Sequence, residues 1–155
     1  LPRLVFICTK NQSRSVLAEA FFNQLLKKRG LDNGWHVESA GSWVDESAPA
    51  TAEAIAEAKK RGFSLEGHIS RDISEISLDD VDLMLVMEEG QKEGILLEYP
   101  QLEGKVQLLS EMSGSAYTIP DPYLTKEPYA AVALEIEELI NENFEKIIKF
   151  AKGEA

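Results

Sequence analysis

The chain contains one cysteine, and it heads a run of residues whose types and spacing suit phosphoryl chemistry: Cys8-Thr9-Lys10-Asn11-Gln12-Ser13-Arg14-Ser15. Arg follows the Cys at the sixth position and Ser at the seventh. The residues between Cys8 and Arg14 can curl into a cradle with their backbone N–H groups pointing inward. A helix starting at the end of the cradle adds the positive end of its dipole. Such a site holds a tetrahedral dianion. The same donors and the nearby guanidinium favour the sulfur in its charged form, and the thiolate is the nucleophilic form of cysteine. Arg14 can grip two phosphoryl oxygens through its planar fork, which the point charge of a lysine cannot imitate.

A cradle of this kind needs a strand to deliver the Cys and a helix to receive the Arg, and the flanking sequence has both. Residues 3 to 7 (Arg-Leu-Val-Phe-Ile) read as a buried strand. From Ser15 onward Val16, Leu17, Ala20, Phe21 and Leu25 recur at helical spacing, and Gly30 supplies the stop. Further along, a strand is predicted at Trp35 to Ser39, an irregular stretch at Gly41 to Ala50 and a helix from about Thr51 to Arg61. Asp82 to Met87 reads as a strand, Gln91 to Leu97 as a short helix, Lys105 to Leu109 as a fourth strand, and Glu127 to about Phe150 as a long helix. Strands alternating with helices predict an α/β fold, an open four-stranded parallel sheet covered by helices on both faces, with ligands at the carboxyl ends of the strands. No repeat, linker or low-complexity tract interrupts the chain, so residues 1–155 are expected to form one domain.

Composition narrows the partners. Residues 1 to 78 hold 10 basic and 10 acidic side chains, while residues 79 to 155 hold 6 and 17, so the second half carries the whole net charge of −11. Such a chain repels nucleic acid and anionic lipid, and an anion has to be bound locally. No apolar run approaches the roughly 20 residues of a membrane span, and the opening Leu1 to Ile7 is too short for a secretory signal. A lone Cys forms no internal disulfide, and the cytoplasm is the expected compartment.

The same residues resemble the low-molecular-weight protein tyrosine phosphatases and their neighbours, the thioredoxin-coupled arsenate reductases and the protein-arginine phosphatases. The resemblance covers essentially the whole chain. It rests on Val5-Phe6-Ile7-Cys8-Thr9-x-Asn11-x-x-Arg14-Ser15 followed by Ala18-Glu19-Ala20, then Glu38-Ser39-Ala40-Gly41-Ser42-Trp43, His68-Ile69-Ser70-Arg71, Asp82 to Met87, and Ile119-Pro120-Asp121-Pro122-Tyr123. It implies the phosphatase I-like fold, Cys8 as nucleophile, Arg14 as phosphate clamp and Asp121 as general acid, with no metal and no cofactor. Two prolines beside Asp121 would hold its carboxylate stiffly over the pocket. The resemblance further implies that Thr9, Lys10, Asn11, Gln12, Ser13 and Ser15 form the phosphate loop. In it Asn11 is strained and bonded to Ser39 and His68, and Ser15 donates to the thiolate. Trp43 and Tyr123 become candidate walls for an aryl phosphate.

The chain departs from the family pattern at several places. Ser13 stands where many relatives carry a second Cys, Lys10 where Gly is common, and Val16 where Pro is common. Gln12 occupies a position that influences substrate choice among relatives. The expected activity is hydrolysis of a phosphorylated protein or a small aryl phosphate by a monomer or weak dimer. Three alternatives stay open: a protein-arginine phosphatase, an arsenate reductase served by an external thiol, and a phosphate-binding module without catalysis.

Overall fold

The computed structural model describes residues 1–154. Four parallel strands, β1 (Arg3–Cys8), β2 (His36–Gly41), β3 (Leu83–Val86) and β4 (Val106–Leu108), lie in the order β2-β1-β3-β4. Their crossovers carry α1 (Arg14–Lys28), α2 (Ala52–Lys60) and α3 (Glu89–Glu98), and α4 (Tyr129–Ala151) closes the chain. The expected α/β architecture is therefore the observed one.

Both faces of the central strands are apolar, as covered parallel strands require. Leu4, Phe6 and Cys8 of β1, with Leu83 and Leu85 of β3, point to the face where α1, α2 and α4 pack. Val5, Ile7, Met84 and Val86 point to the opposite, thinner face, where Ile95 of α3 and the short turns bearing Ile73 and Leu102 cover them. With α1 on one face and α3 on the other, a crevice opens beyond the carboxyl ends of β1 and β3. It lies where the strand order reverses direction, the position at which open α/β sheets place ligands.

Element boundaries differ from the sequence expectations for local reasons. The second strand extends two residues past Ser39 because Cys8 still pairs with Gly41. The third is shorter at both ends: the Asp82 carboxylate accepts from the Arg3 N–H at 2.8 Å, and the Met87 carbonyl accepts from the Ile119 N–H at 2.8 Å. Leu109 leaves β4 to start a 3₁₀ turn. The last helix starts at Tyr129 because Pro128 provides its cap in extended conformation. It is bent at Asn143 (φ −113°, ψ 15°), where the side-chain amide donates to the Leu139 carbonyl at 2.9 Å.

The larger core layer centres on Phe22, fully buried on α1, whose ring centroid lies 6.0 Å from Phe6, 5.6 Å from Trp35 and 5.1 Å from Phe144. It joins sheet, helix α1 and helix α4. Truncation by Phe22→Ala should cost about 3–5 kcal/mol. Urea unfolding should show a lower midpoint at an unchanged slope.

Candidate active site

Cys8 is the last residue of β1 and 3% exposed, and the chain leaves it for a tight loop that ends in α1. The turn depends on Asn11, fully buried with φ 55° and the one non-glycine residue at positive φ among those described. Asn is among the few side chains that tolerate this region. Its amide nitrogen donates to Ser15 Oγ and to Ser39 Oγ, both at 2.9 Å. Its amide oxygen accepts from the Arg71 N–H at 3.1 Å, and its carbonyl lies 2.7 Å from His68 Nε2. Ser15 Oγ, which accepts from Asn11, stands 2.9 Å from Cys8 Sγ, within hydrogen-bond distance of the sulfur.

Gly41 of β2 lets the loop approach this closely. A methyl group there would lie 2.6 Å from the Thr9 carbonyl oxygen and 2.5 Å from Val44 Cγ2. The following backbone fastens the loop, with Ser42 N–H donating to the Cys8 carbonyl at 2.9 Å and Trp43 N–H to Thr9 at 3.0 Å. The first turn of α1 contains no acidic residue, so the positive helix end faces the loop uncompensated.

Arg14 is 2% exposed and held by four groups, of which Thr9 Oγ1 accepts from its Nη2 at 3.4 Å. Its Nη1 donates to the Ile119 carbonyl at 2.9 Å and pairs with Glu88 at 2.9 Å, and its Nη2 lies 3.6 Å from the Asp121 carboxylate. Gln91 steadies this pair by donating to Thr9 Oγ1 at 3.1 Å and to Glu88 at 3.3 Å. Asp121 sits in a turn of its own, its Oδ1 accepting from the Tyr123 N–H at 2.9 Å. A cavity of about 330 Å³ brings together Cys8, Arg14, Asp121, Lys10, Gln12 and Tyr123, with Thr9, Ser13, Thr51 and Leu124 completing its wall. Of the loop residues, Thr9, Lys10, Gln12 and Ser13 line this cavity, whereas Asn11 and Ser15 are fully buried and do not.

Tyr123 lines this cavity, but Trp43 does not. Trp43 is 69% exposed and lines a neighbouring hollow, because the segment after Gly41 carries it outward past Lys10 and Gln12. Its assignment to the wall around Cys8 is corrected accordingly. Ser13 is hydrogen-bonded to the Tyr129 hydroxyl, which ties the loop to the start of α4. Burial pushes the Tyr129 phenol up to about 12, so it stays neutral across the working range of an enzyme.

Beneath the loop, Ser39 Oγ, accepting from Asn11, donates in turn to Glu19 at 2.6 Å. Burial raises Glu19 above the ordinary carboxylate range, opposed by the Ser39 hydrogen bond and by the nearby His68 and Arg71. Sequence reasoning included Glu19 and Arg71 in the segments of the resemblance without giving them a role, and it missed Glu88, Gln91 and Tyr129. Glu88 was within reach, because it follows the carboxyl end of β3 at the reversal of strand order. Tyr129 sits in an ordinary helical context that gives no signal.

A cysteine at the head of an N–H cradle, with a buried arginine and a carboxylate at its mouth, defines a cysteine-dependent phosphomonoester hydrolase. Residues 3–152 match the model of the low molecular weight phosphotyrosine protein phosphatases, and the chain belongs to that family. Its relatives include a protein-arginine-phosphatase of Bacillus subtilis, 30% identical over 90% of this chain and 92% of the relative. They also include the low molecular weight protein-tyrosine-phosphatase Wzb of Escherichia coli, 34% identical over 86% of this chain and 87% of the relative. Among solved structures, the low molecular weight protein tyrosine phosphatase from T. tengcongensis superimposes with a TM-score of 0.84 at 33% identity, covering 94% of this chain and 99% of that one.

The Glu19 geometry gives a pH prediction. Well below the ordinary carboxylate range Glu19 is protonated in folded and unfolded chains alike and contributes no pH dependence. As pH rises the unfolded chain ionises first and the folded one follows against burial. Stability is therefore lost through that window and levels off above the raised folded value. Glu19→Gln keeps an acceptor for Ser39 and removes the charge. Thermal unfolding at about pH 4.5 and about pH 7.5 should show the variant gaining on the wild type at the higher pH.

Proposed function

We propose that the chain is a cytoplasmic protein phosphatase acting on phosphotyrosine, a single catalytic unit working as a monomer or weak dimer. The observation that carries this reading is the shared cavity: Cys8 Sγ within 2.9 Å of the Ser15 hydroxyl, Arg14 buried beside it, and Asp121 3.6 Å from Arg14. In the proposed mechanism the Cys8 thiolate attacks phosphorus in line with the leaving oxygen. The phosphorus–oxygen bond breaks as the sulfur–phosphorus bond forms, and Asp121 gives its proton to the leaving phenolate. Water then attacks the phosphocysteine with Asp121 as base, and phosphate departs as the thiolate is restored. The loop N–H groups, the end of α1 and Arg14 stabilise charge on the equatorial oxygens. Ser15 steadies the thiolate, and Tyr123, half exposed at the rim, offers an apolar face to an aryl group.

Cytoplasmic placement rests on the lone cysteine, which forms no internal disulfide. Among the described residues no helix is long and apolar enough to cross a membrane. A second reading has an observation in its favour: a relative matched over 90% of this chain is named a protein-arginine-phosphatase, and the same machinery would cleave a phosphorus–nitrogen bond.

A panel of aryl phosphate, phosphotyrosine peptide, phosphoarginine peptide and arsenate with added thiol separates these activities. The expected result is turnover of the first two, lost in Cys8→Ala while phosphate binding by calorimetry persists. Binding without turnover in the wild type would leave a phosphate-binding module. Asp121→Ala tests the acid. A general acid contributes about 10²- to 10⁴-fold, according to how badly the leaving group needs a proton. The variant should therefore slow phenyl phosphate hydrolysis far more than hydrolysis of a nitrophenyl ester. An equal loss on both would return Asp121 to the status of a turn residue.

A further inference from the structure

The segment that carries Asp121 has little regular structure to hold it. Upstream it is fixed at Ile119, fully buried, whose N–H donates to the Met87 carbonyl at 2.8 Å and whose carbonyl accepts from Arg14 at 2.9 Å. Downstream, residues 123–128 are exposed, and neither strand nor helix intervenes before α4. A stretch with so few buried contacts opens easily. A general acid, however, has to stay within hydrogen-bond reach of the oxygen it protonates. The Asp121 turn is closed by the Tyr123 N–H, which donates to Oδ1 at 2.9 Å, and by the Thr125 hydroxyl, which donates to the Asp121 carbonyl at 3.0 Å. Oδ2 is left as the oxygen 3.6 Å from Arg14, so the direction of the carboxylate follows Tyr123. Tyr123 leans on Tyr129, edge to face, with ring centroids 6.0 Å apart at 61°. Tyr129 is the firmer of the two. It opens α4, packs against the larger core layer and is hydrogen-bonded through its hydroxyl to Ser13 Oγ, and Thr51, the cap of α2, stands beside both phenols.

We infer that Tyr129 is a positioning residue for the phosphatase reaction, setting Asp121 in register with the phosphate loop by holding Tyr123 with its ring and Ser13 with its hydroxyl. This role rests on the phosphatase reading above and deepens it by adding a residue that lies outside the cavity lining. In-line displacement puts the nucleophile on one side of phosphorus and the proton donor on the other, and a small misplacement of either is costly. Cys8 is carried by the loop and Asp121 by a separate segment, so their spacing needs a link between the two. Tyr129 supplies that link from a rigid helix: its hydroxyl is fixed to the loop that starts at Cys8, and its ring backs the residue whose N–H aims the Asp121 carboxylate. Ser13 suits the loop end of the link. A hydroxyl both donates and accepts strongly, whereas the Cys common at this place among relatives would offer only a weak donor and a weak acceptor to the phenol.

The test measures kcat/KM on phenyl phosphate and on a nitrophenyl phosphate for the wild type, Tyr129→Phe, Tyr129→Ala and Ser13→Ala, each also combined with Asp121→Ala. A nitrophenolate leaves with little help from a proton, so the ratio of the two rates reports the acid. Both rates come from one preparation, so a partly unfolded variant cannot shift the ratio. Tyr129→Phe keeps the ring and loses one hydrogen bond, and should slow phenyl phosphate about threefold to tenfold and the nitrophenyl ester less than about twofold. Tyr129→Ala loses the ring as well and should move the ratio further towards that of Asp121→Ala. Ser13→Ala should reproduce the Tyr129→Phe ratio, and Ser13→Ala/Tyr129→Phe should add nothing beyond either. In the Asp121→Ala background every one of these variants should leave the ratio where Asp121→Ala sets it. Equal losses on both esters, as a weakened aryl wall or a loosened fold would give, overturn the positioning role while the phosphatase stands. So does a ratio that changes again on top of Asp121→Ala. If Asp121→Ala alone slows both esters equally, the acid assignment falls and this role falls with it. If the wild type leaves both esters intact, the phosphatase reading itself is wrong.

Discussion

The geometry of the site hangs on a backbone conformation that the chain would not adopt by itself. Asn11 at φ 55° turns the loop so that the strand ending in Cys8 can enter α1 within a few residues. The left-handed region costs a non-glycine residue about 1–2 kcal/mol. Against that cost stand the hydrogen bonds to Ser15, Ser39, Arg71 and His68, each contributing about 0.5–1.5 kcal/mol net, so the strained form wins. Glycine would enter the region more freely but would leave the Ser15 and Ser39 hydroxyls without their donor. The residue therefore sets two things together: the direction of the loop N–H groups and the orientation of the hydroxyl that faces Cys8.

Charge placement around Arg14 follows a similar logic. A buried guanidinium needs partners, and Glu88 and the Ile119 carbonyl supply them on one side while Asp121 stands farther off on the other. With two carboxylates beside it, Arg14 does not create a strongly positive site. The attraction for a dianion must come in large part from the loop N–H groups, Lys10 and the uncompensated end of α1. This is how a chain of net charge −11 can still bind an anion: the loop and the helix end lie at the site itself, whereas the surplus carboxylates are dispersed over the second half and screened by solvent.

The parts of this arrangement that could be read in the sequence are those set by local rules. The strand up to Ile7, the helix from Ser15 and the alternation that yields a parallel sheet follow from short apolar runs, helical spacing and glycine stops. The Cys-to-Arg spacing then marks the cradle. What stayed hidden depends on contacts between distant segments. Glu88 and Ile119 meet Arg14, with Gln91 behind Glu88, because β3 lies next to β1, and that adjacency is a property of the strand order. Trp43 was placed at the wrong wall because its direction depends on how the irregular stretch leaves Gly41, where the side-chain pattern has no period to read. Glu19 lies in a segment that carries the resemblance, but its role emerges only when β2 brings Ser39 against it.

The loop is consequently braced from two sides that respond differently to conditions. On the outer side Ser13 meets Tyr129, whose phenol is pushed up to about 12 by burial, so that tie is a neutral hydrogen bond indifferent to ordinary pH. On the inner side Asn11 rests on Ser39 and Glu19, a carboxylate that burial makes reluctant to ionise. The Ser39 hydroxyl can donate to Glu19 whether or not the carboxyl is protonated, because an acceptor oxygen remains in both forms. Titration of Glu19 therefore changes the free energy of the support without reversing the direction of the hydrogen bonds from Asn11 through Ser39. A change of pH should reach the overall stability of the fold before it reaches the orientation of the groups around Cys8.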